Sequence, residues 1–115
     1  MTLSISYLVE KHFLALHELA VGERDARARL GEAYGRFWTI RPSEYPVHLH
    51  KARIDIDATL TRLPGREGYI IPDNLRKMKN TTASKVCSMI FDLYFDLVQV
   101  EEAKQAAKKD TERTL

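Results

Sequence analysis

The sequence predicts an all-α protein, a small helical bundle whose long N-terminal and C-terminal helices are joined by a middle helix and a basic loop. Apolar residues recur at spacings of three and four over residues 5–38 and again over 82–100. Only 5 Gly and 4 Pro interrupt the 115 residues. This length fits one domain with its own core. We therefore expect a single helical domain over residues 1–109 and a flexible polar tail over 110–115.

The N-terminal stretch favours one helix from residue 3 to about Trp38. Ala26 stands seven positions after Leu19, and this spacing keeps both parts of the apolar stripe on one face of a continuous helix. Gly22 is the weak point, and two helices broken there are the alternative. Pro42 ends the element, because the residue before a proline is pushed out of the helical region.

The middle helix is predicted over residues 44–63, with Ser43 as its N-cap. Apolar residues also alternate over 52–60 as they would in a strand. Aspartate is a poor strand former, and two pairs of unlike charges stand at the spacing of helical ion pairs. These pairs, which favour the helix, are Lys51 with Asp55 and Arg53 with Asp57.

The last third of the chain contains a loop and then the longest apolar stripe. Pro64 and Gly65 stop the middle helix, and residues 64–73 are predicted as a loop. A short helical turn can follow from Pro72 to Lys79. A strong helix is then predicted over about 82–107, with Thr81 or Thr82 as its cap. Its core stripe is Ala83, Val86, Ile90, Leu93, Leu97 and Val100.

The composition excludes several classes of protein. No run of eighteen apolar residues occurs, so no transmembrane helix is expected, and the N-terminus lacks the pattern of a secretory signal. The single cysteine, Cys87, can form neither an intramolecular disulfide nor a cysteine-rich zinc site, which fits a reducing, cytoplasmic setting. No glycine-rich phosphate loop and no nucleophile in a catalytic frame occurs, so we expect neither a cofactor nor an enzyme.

Two helices carry more apolar surface than one core requires. Opposite the core stripe of the first helix, two glycines four residues apart would let another backbone approach, unless a helix of the same chain fills that groove. The last helix is apolar or aromatic outside one polar stripe, as in helices that pair with another chain. We therefore expect a non-catalytic regulator that binds another protein, itself or both, as an inhibitor, anti-activator, adaptor or chaperone. The predicted contact residues are Arg24, Gly31, Gly35, Trp38, Phe91, Tyr94, Phe95 and Val98.

Positive charge is concentrated before the last helix. The whole chain has a net charge of +2, but residues 62–85 carry six basic and two acidic side chains, a local charge of +4. Such a segment attracts phosphates or an acidic protein surface. A nucleic-acid-binding regulator is therefore the first alternative function. Its contact residues would be Arg66, Arg76, Lys77, Lys79 and Lys85.

Arg41 and His48 indicate a second alternative. Six residues separate them, and the pair resembles the Arg-x(4–6)-His motif of the helical ribonucleases called HEPN, with Pro42 where that family usually has a polar residue. The resemblance covers eight residues. It implies an RNA-cleaving site in which the arginine would stabilise a pentavalent phosphate and the histidine would move a proton.

The four histidines do not stand at the spacing of metal ligands. Two ligands on one helical face need a spacing of three or four residues. His12 and His17 are five residues apart, and His48 and His50 are two apart. We therefore expect no metal site.

We predict that EDTA leaves the melting temperature unchanged, because the sequence offers no set of ligands whose metal would hold the fold together. Thermal unfolding followed by circular dichroism, with and without EDTA, measures this. A large fall in Tm that added zinc reverses would contradict the prediction.

Overall fold

The computed structural model describes residues 3–22 and 24–114, which fold as helices and connecting turns. These residues contain no strand, which confirms the predicted all-α class. None of their helices has both the length and the apolar character needed to cross a membrane. The elements are α1 (Ile5–Val21), α2 (Ala26–Gly35), the 3-10 turns Pro42–Glu44 and Val47–Leu49, α3 (His50–Leu60), α4 (Ile70–Lys77) and α5 (Asn80–Thr114).

The N-terminal region forms two helices, so the prediction of one continuous helix is wrong and the alternative break at Gly22 is right. The side chain of Asp25 accepts a hydrogen bond from the backbone N–H of Ala28 (3.0 Å) and caps the start of α2. A side chain at residue 22 would collide with Arg29, which donates to the carbonyl oxygen of Leu19 (3.0 Å). α2 therefore folds back along α1, and their apolar faces are buried together.

α5 is the central helix of the bundle and contacts α1, α2 and α3. It runs antiparallel to α1, since Ser6 near the start of α1 donates to Glu101 (2.8 Å), and Phe13 further along α1 contacts Tyr94, which precedes Glu101 on α5. The buried side chains of α5 match the predicted core stripe at five of its six positions. These five are Ala83, Val86, Ile90, Leu93 and Leu97.

The last helix is longer than predicted. α5 continues to Thr114 instead of ending near residue 107, and residues 102–113 are exposed. The expected flexible tail over 110–115 is therefore helical as far as Thr114, and Leu115 lies outside the described residues. Because these side chains are exposed, the last stretch buries little apolar surface that could stabilise it.

The middle helix begins later than predicted. Ser43 lies in a 3-10 turn instead of capping a helix, and α3 begins at His50. Pro46 provides the physical reason, because it favours an extended conformation for the preceding Tyr45 (φ −85°, ψ 161°). The segment over 52–60 is helical, as predicted in preference to a strand. Both expected ion pairs form, between Lys51 and Asp55 (2.9 Å) and between Arg53 and Asp57 (3.0 Å).

Buried polar side chains hold the loop between α3 and α4. The amide of Asn74 accepts a hydrogen bond from the backbone N–H of Leu63 and donates to its carbonyl oxygen, both at 2.9 Å. The carboxylate of Asp73 accepts from the backbone and guanidinium of Arg66 and from Arg76. These hydrogen bonds, those from Arg66 above all, hold the pKa of Asp73 well below its usual range. α4 begins at residue 70, inside the segment that was predicted as a loop over 64–73.

Arg53 places a buried charge in the middle of the bundle, with 1% of the residue exposed. Three aromatic rings surround its guanidinium, with centroids 5.1 to 5.8 Å from the central carbon. One side chain thereby joins α3 to the turn that follows α2. Its hydrogen bonds run from Nε to Asp57 (3.0 Å), from Nη1 to the Tyr45 hydroxyl (3.1 Å) and the Ile40 carbonyl, and from Nη2 to the Trp38 carbonyl (3.4 Å).

His12 is fully buried beside Arg53. Its ring stacks on Phe37, with centroids 4.3 Å apart, and Nε2 lies 2.7 Å from the Tyr45 hydroxyl. A guanidinium can only donate, so the Tyr45 hydroxyl accepts from Arg53 and has its own proton to donate to neutral His12. Burial, and to a smaller extent the charge of Arg53, lowers the pKa of His12 from 6.5 to about 3.

We predict that the free energy of unfolding falls as the pH is lowered from about 6.5 toward 3. His12 binds a proton near pH 6.5 in the unfolded chain but only near pH 3 in the folded one. The unfolded state therefore takes up more protons across this window, and the loss should reach on the order of a few kcal/mol at its lower end. Urea denaturation at a series of pH values measures it.

Two variants control this measurement. His12→Gln should flatten the slope of stability against pH within the window, because it removes the titrating group. His17→Gln removes an exposed histidine of the same helix and should leave the slope as it is. An unchanged slope in His12→Gln would show that another group causes the acid sensitivity.

We predict that replacing Gly35 and Gly68 by alanine changes the free energy of unfolding in opposite directions. Gly35 ends α2 with open space where a Cβ would stand, so Gly35→Ala should raise the free energy of unfolding by about 0.4–1 kcal/mol. Gly68 has a φ of 79°, so Gly68→Ala should lower it by about 1 kcal/mol or more. Chemical denaturation of both variants tests the pair. A loss of stability in Gly35→Ala would contradict the open environment of this position.

Candidate functional site

α1 and α5 present three largely exposed phenyl rings on one side of the bundle. Phe13 on α1 and Phe91 and Phe95 on α5 are each more than half exposed. Tyr94 joins the two helices, because its ring centroid lies 6.4 Å from that of Phe13. Half-buried Val98 follows Tyr94 by one helical turn. We call these five residues the aromatic face.

The sequence of α5 explains why these rings lie at the surface. The core stripe fills the side of the helix that faces α1, α2 and α3. Polar residues at spacings of three and four occupy the opposite side, where Lys85, Ser88, Asp92 and Gln99 are exposed. Positions 91 and 95 fall between the two stripes on the helical wheel, so their side chains are only partly covered.

The predicted glycine face is partly occupied by the chain itself. A Cβ on Gly31 would lie 3.0 Å from the side chain of Leu75 on α4, so the alternative of an internal helix in this groove is right at that position. Gly35 faces open space, and Arg24 forms a surface ion pair. Trp38 lies in the turn beyond α2 and is 60% exposed. Since α2 ends at residue 35, these residues do not share one helical stripe.

Two of the basic residues that were predicted to contact nucleic acid already form ion pairs within the chain. Arg66 and Arg76 both form ion pairs with the buried carboxylate of Asp73. Arg66 also lies over the ring of Tyr69, with 4.8 Å between its central carbon and the ring centroid. Part of the local positive charge is therefore neutralised within the loop.

The remaining basic side chains divide between a cleft and an open surface. A cleft of about 200 Å³ lies where α3 and α4 end and α5 begins. Its walls include Lys77 and Lys79, which the sequence singles out, and Arg62, which it does not. Lys85 lies outside this cleft, on the exposed side of α5.

Arg41 and His48 are both exposed, and no hydrogen bond or ion pair joins them in the described part of the chain. Arg41 pairs with Glu44, with 3.3 Å between Nε and the carboxylate oxygen. His48 lies in the second 3-10 turn and borders a depression with Asp96 and Gln99. The structure thus gives each residue different neighbours.

The structure also locates the metal-ligand and nucleophile candidates. Within residues 3–22 and 24–114, no three His, Cys, Asp or Glu side chains are grouped closely enough to hold a metal ion. Cys87 is half-buried, and this burial raises the pKa of its thiol, so the less nucleophilic protonated form is favoured.

Phe13 belongs to the aromatic face but is not among the contact residues predicted from the sequence. The sequence places Phe13 and His12 together on the apolar stripe of the first helix, but the structure buries His12 and exposes Phe13. Consecutive residues point about 100° apart on a helix. One of the two residues must therefore lie at the edge of the stripe. Their adjacent positions are the signal in the sequence that one of them would be exposed.

Comparisons with protein-family models, with curated proteins and with solved structures found no match.

Proposed function

We propose that this chain is a small non-catalytic protein-binding regulator, of the inhibitor, anti-activator, adaptor or chaperone type, that acts through the aromatic face. The observation that carries the proposal is the exposure of Phe13, Phe91 and Phe95 on two adjacent helices. Burial of a large apolar side chain contributes roughly 1.5–3 kcal/mol, and each ring retains more than half of its surface for such burial. Clustered apolar surface of this kind marks interaction sites.

The occupant that best fits the face is a second copy of this chain. Phe91 and Phe95 are four residues apart on α5. In an antiparallel pair of α5 helices, Phe91 of each copy can lie opposite Phe95 of the other. Every contact then occurs twice, as an interface with two-fold symmetry requires.

Charge favours the antiparallel arrangement. Exposed Lys85 and exposed Glu102 stand on either side of the two phenylalanines along α5. The same register brings Lys85 of each copy close to Glu102 of the other. A parallel pair would instead place like charges side by side, which is unfavourable.

The length of α5 supports the same occupant. Its 35 residues span about 52 Å at the rise of an α-helix, most of the 57 Å long axis of the molecule. Residues 102–113 are exposed. In an antiparallel dimer, the first part of this segment from each copy would lie beside the start of α5 of the other copy.

Such pairing gives a simple means of regulation. A target protein that presents an apolar helix uses the same recognition mode, a helix laid along an apolar groove. The target must then compete with the second copy, so binding depends on the concentration of this chain.

We predict that the purified protein has twice the monomer mass in size-exclusion chromatography with light scattering, and that dilution dissociates it. Phe95→Glu should raise the dimer dissociation constant at least about hundredfold, because each interface receives the substitution twice. Sedimentation equilibrium gives the constants. Circular dichroism should show unchanged helix content, since Phe95 is largely exposed.

Two controls make the result specific. Ile54→Glu changes an apolar side chain of α3 that is similarly exposed, 51% against 53% for Phe95, and should leave the dimer intact. Lys85→Glu should weaken the dimer, and adding Glu102→Lys in the same chain should restore it. A wild type that remains monomeric at every concentration would rule out the second copy as the occupant.

A further inference from the structure

The cleft at the start of α5 gathers positive charge from three separate segments. Arg62 follows the end of α3, Lys77 is the last residue of α4, and Lys79 immediately precedes α5. Side chains from three segments converge here only because the fold brings the segment ends together. The cleft is therefore a product of tertiary structure and not of one basic run.

No carboxylate balances these three charges in the described part of the chain. None of Arg62, Lys77 and Lys79 lies within 4 Å of a described acidic oxygen, whereas Arg66 and Arg76 nearby share Asp73. Like charges brought together without a counter-charge repel one another. A bound anion would relieve this repulsion.

The start of α5 adds to the positive potential of the cleft. The first backbone N–H groups of a helix have no partner within it, and the helix dipole places partial positive charge at this end. The residue before α5 is Lys79, whose side chain has no acceptor with which to cap these groups. The Thr82 side chain, in the first turn of α5, also lines the cleft and supplies a hydroxyl donor.

The walls of the cleft are held in place before any ligand arrives. Asn74, only 3% exposed, hydrogen-bonds both the N–H and the carbonyl of Leu63 and also the carbonyl of Ile70 (2.8 Å). This buried amide fixes the end of α3 against α4. Little ordering of the backbone is then required when a ligand binds.

We propose that this cleft is a binding site for the phosphoryl group of a small phosphorylated molecule. Its volume of about 200 Å³ is below the range of drug-sized pockets and suits one compact oxyanion with a small substituent. Arg62 offers a planar fork of donors to phosphate oxygens, and Lys77 and Lys79 act as point charges.

A small ligand is favoured over a nucleic-acid strand. A strand requires cations along an extended track, but Arg66 and Arg76 are engaged by Asp73, and Lys85 lies on the exposed side of α5. Only the residues inside the cleft remain free to converge on one phosphoryl group.

The test titrates the isotopically labelled protein with inorganic phosphate and pyrophosphate at constant ionic strength, followed by amide NMR shifts. We expect saturable shifts centred on Lys79 and Thr82, with pyrophosphate binding more tightly because it carries more charge. Lys77→Ala and Lys79→Ala should each weaken pyrophosphate binding about tenfold. Lys51→Ala removes the same charge from the exposed surface of α3, outside both the cleft and the proposed dimer contacts, and should leave the affinity unchanged.

Two results would overturn the proposal. The first is the absence of saturable shifts with both anions, or an equal loss of affinity in Lys51→Ala, which would indicate nonspecific attraction. The second is tight, strongly salt-dependent binding of a single-stranded RNA oligonucleotide without saturable binding of either small anion, which would assign the basic residues to nucleic acid. The aromatic face is tested separately, since Phe95→Glu should not change anion binding.

Discussion

The buried guanidinium of Arg53 is the interaction on which the arrangement of the helices depends. A charge in a protein interior is stable only when its hydrogen bonds and its charge are both matched. Asp57 supplies the charge, and the Tyr45 hydroxyl and the carbonyls of Trp38 and Ile40 supply the remaining acceptors. Those carbonyls belong to the turn after α2, so this turn must lie against α3. The position of the α1–α2 pair relative to α3 follows from this requirement.

The helical class and most of the core could be predicted from periodicity alone. The apolar stripe of α5 repeats at helical spacing, and no competing pattern exists there. The burial of Arg53 was not predictable in the same way, although Arg53 stands four residues after buried Leu49 and three before buried Ile56. Its spacing to Asp57 indicates a surface ion pair equally well. The sequence does not decide between these environments, since the acceptors that permit burial come from a distant segment.

The boundaries between helices were harder to predict because they depend on tertiary contacts. A seven-residue interval across Gly22 fits one long helix and two folded helices equally well. Burial of α2 against α1 favours the folded pair, and the cap at Asp25 allows it. The candidate surfaces likewise include one that a local pattern predicts and one that depends on tertiary contacts. The polar stripe of α5 predicts that Phe91 and Phe95 are exposed, but no local pattern predicts that Arg62 joins Lys77 and Lys79 in one cleft.

The buried network and the aromatic face are linked through α1. His12 points into the bundle, where it stacks on Phe37 and hydrogen-bonds Tyr45, and these contacts fix the rotation of α1 about its axis. Phe13, the next residue, is thereby directed outward and toward Tyr94 of α5. A face whose rings are already oriented loses little conformational entropy when a partner binds. The polar core therefore contributes to binding at the surface without touching the partner, because it determines which side of α1 the partner meets.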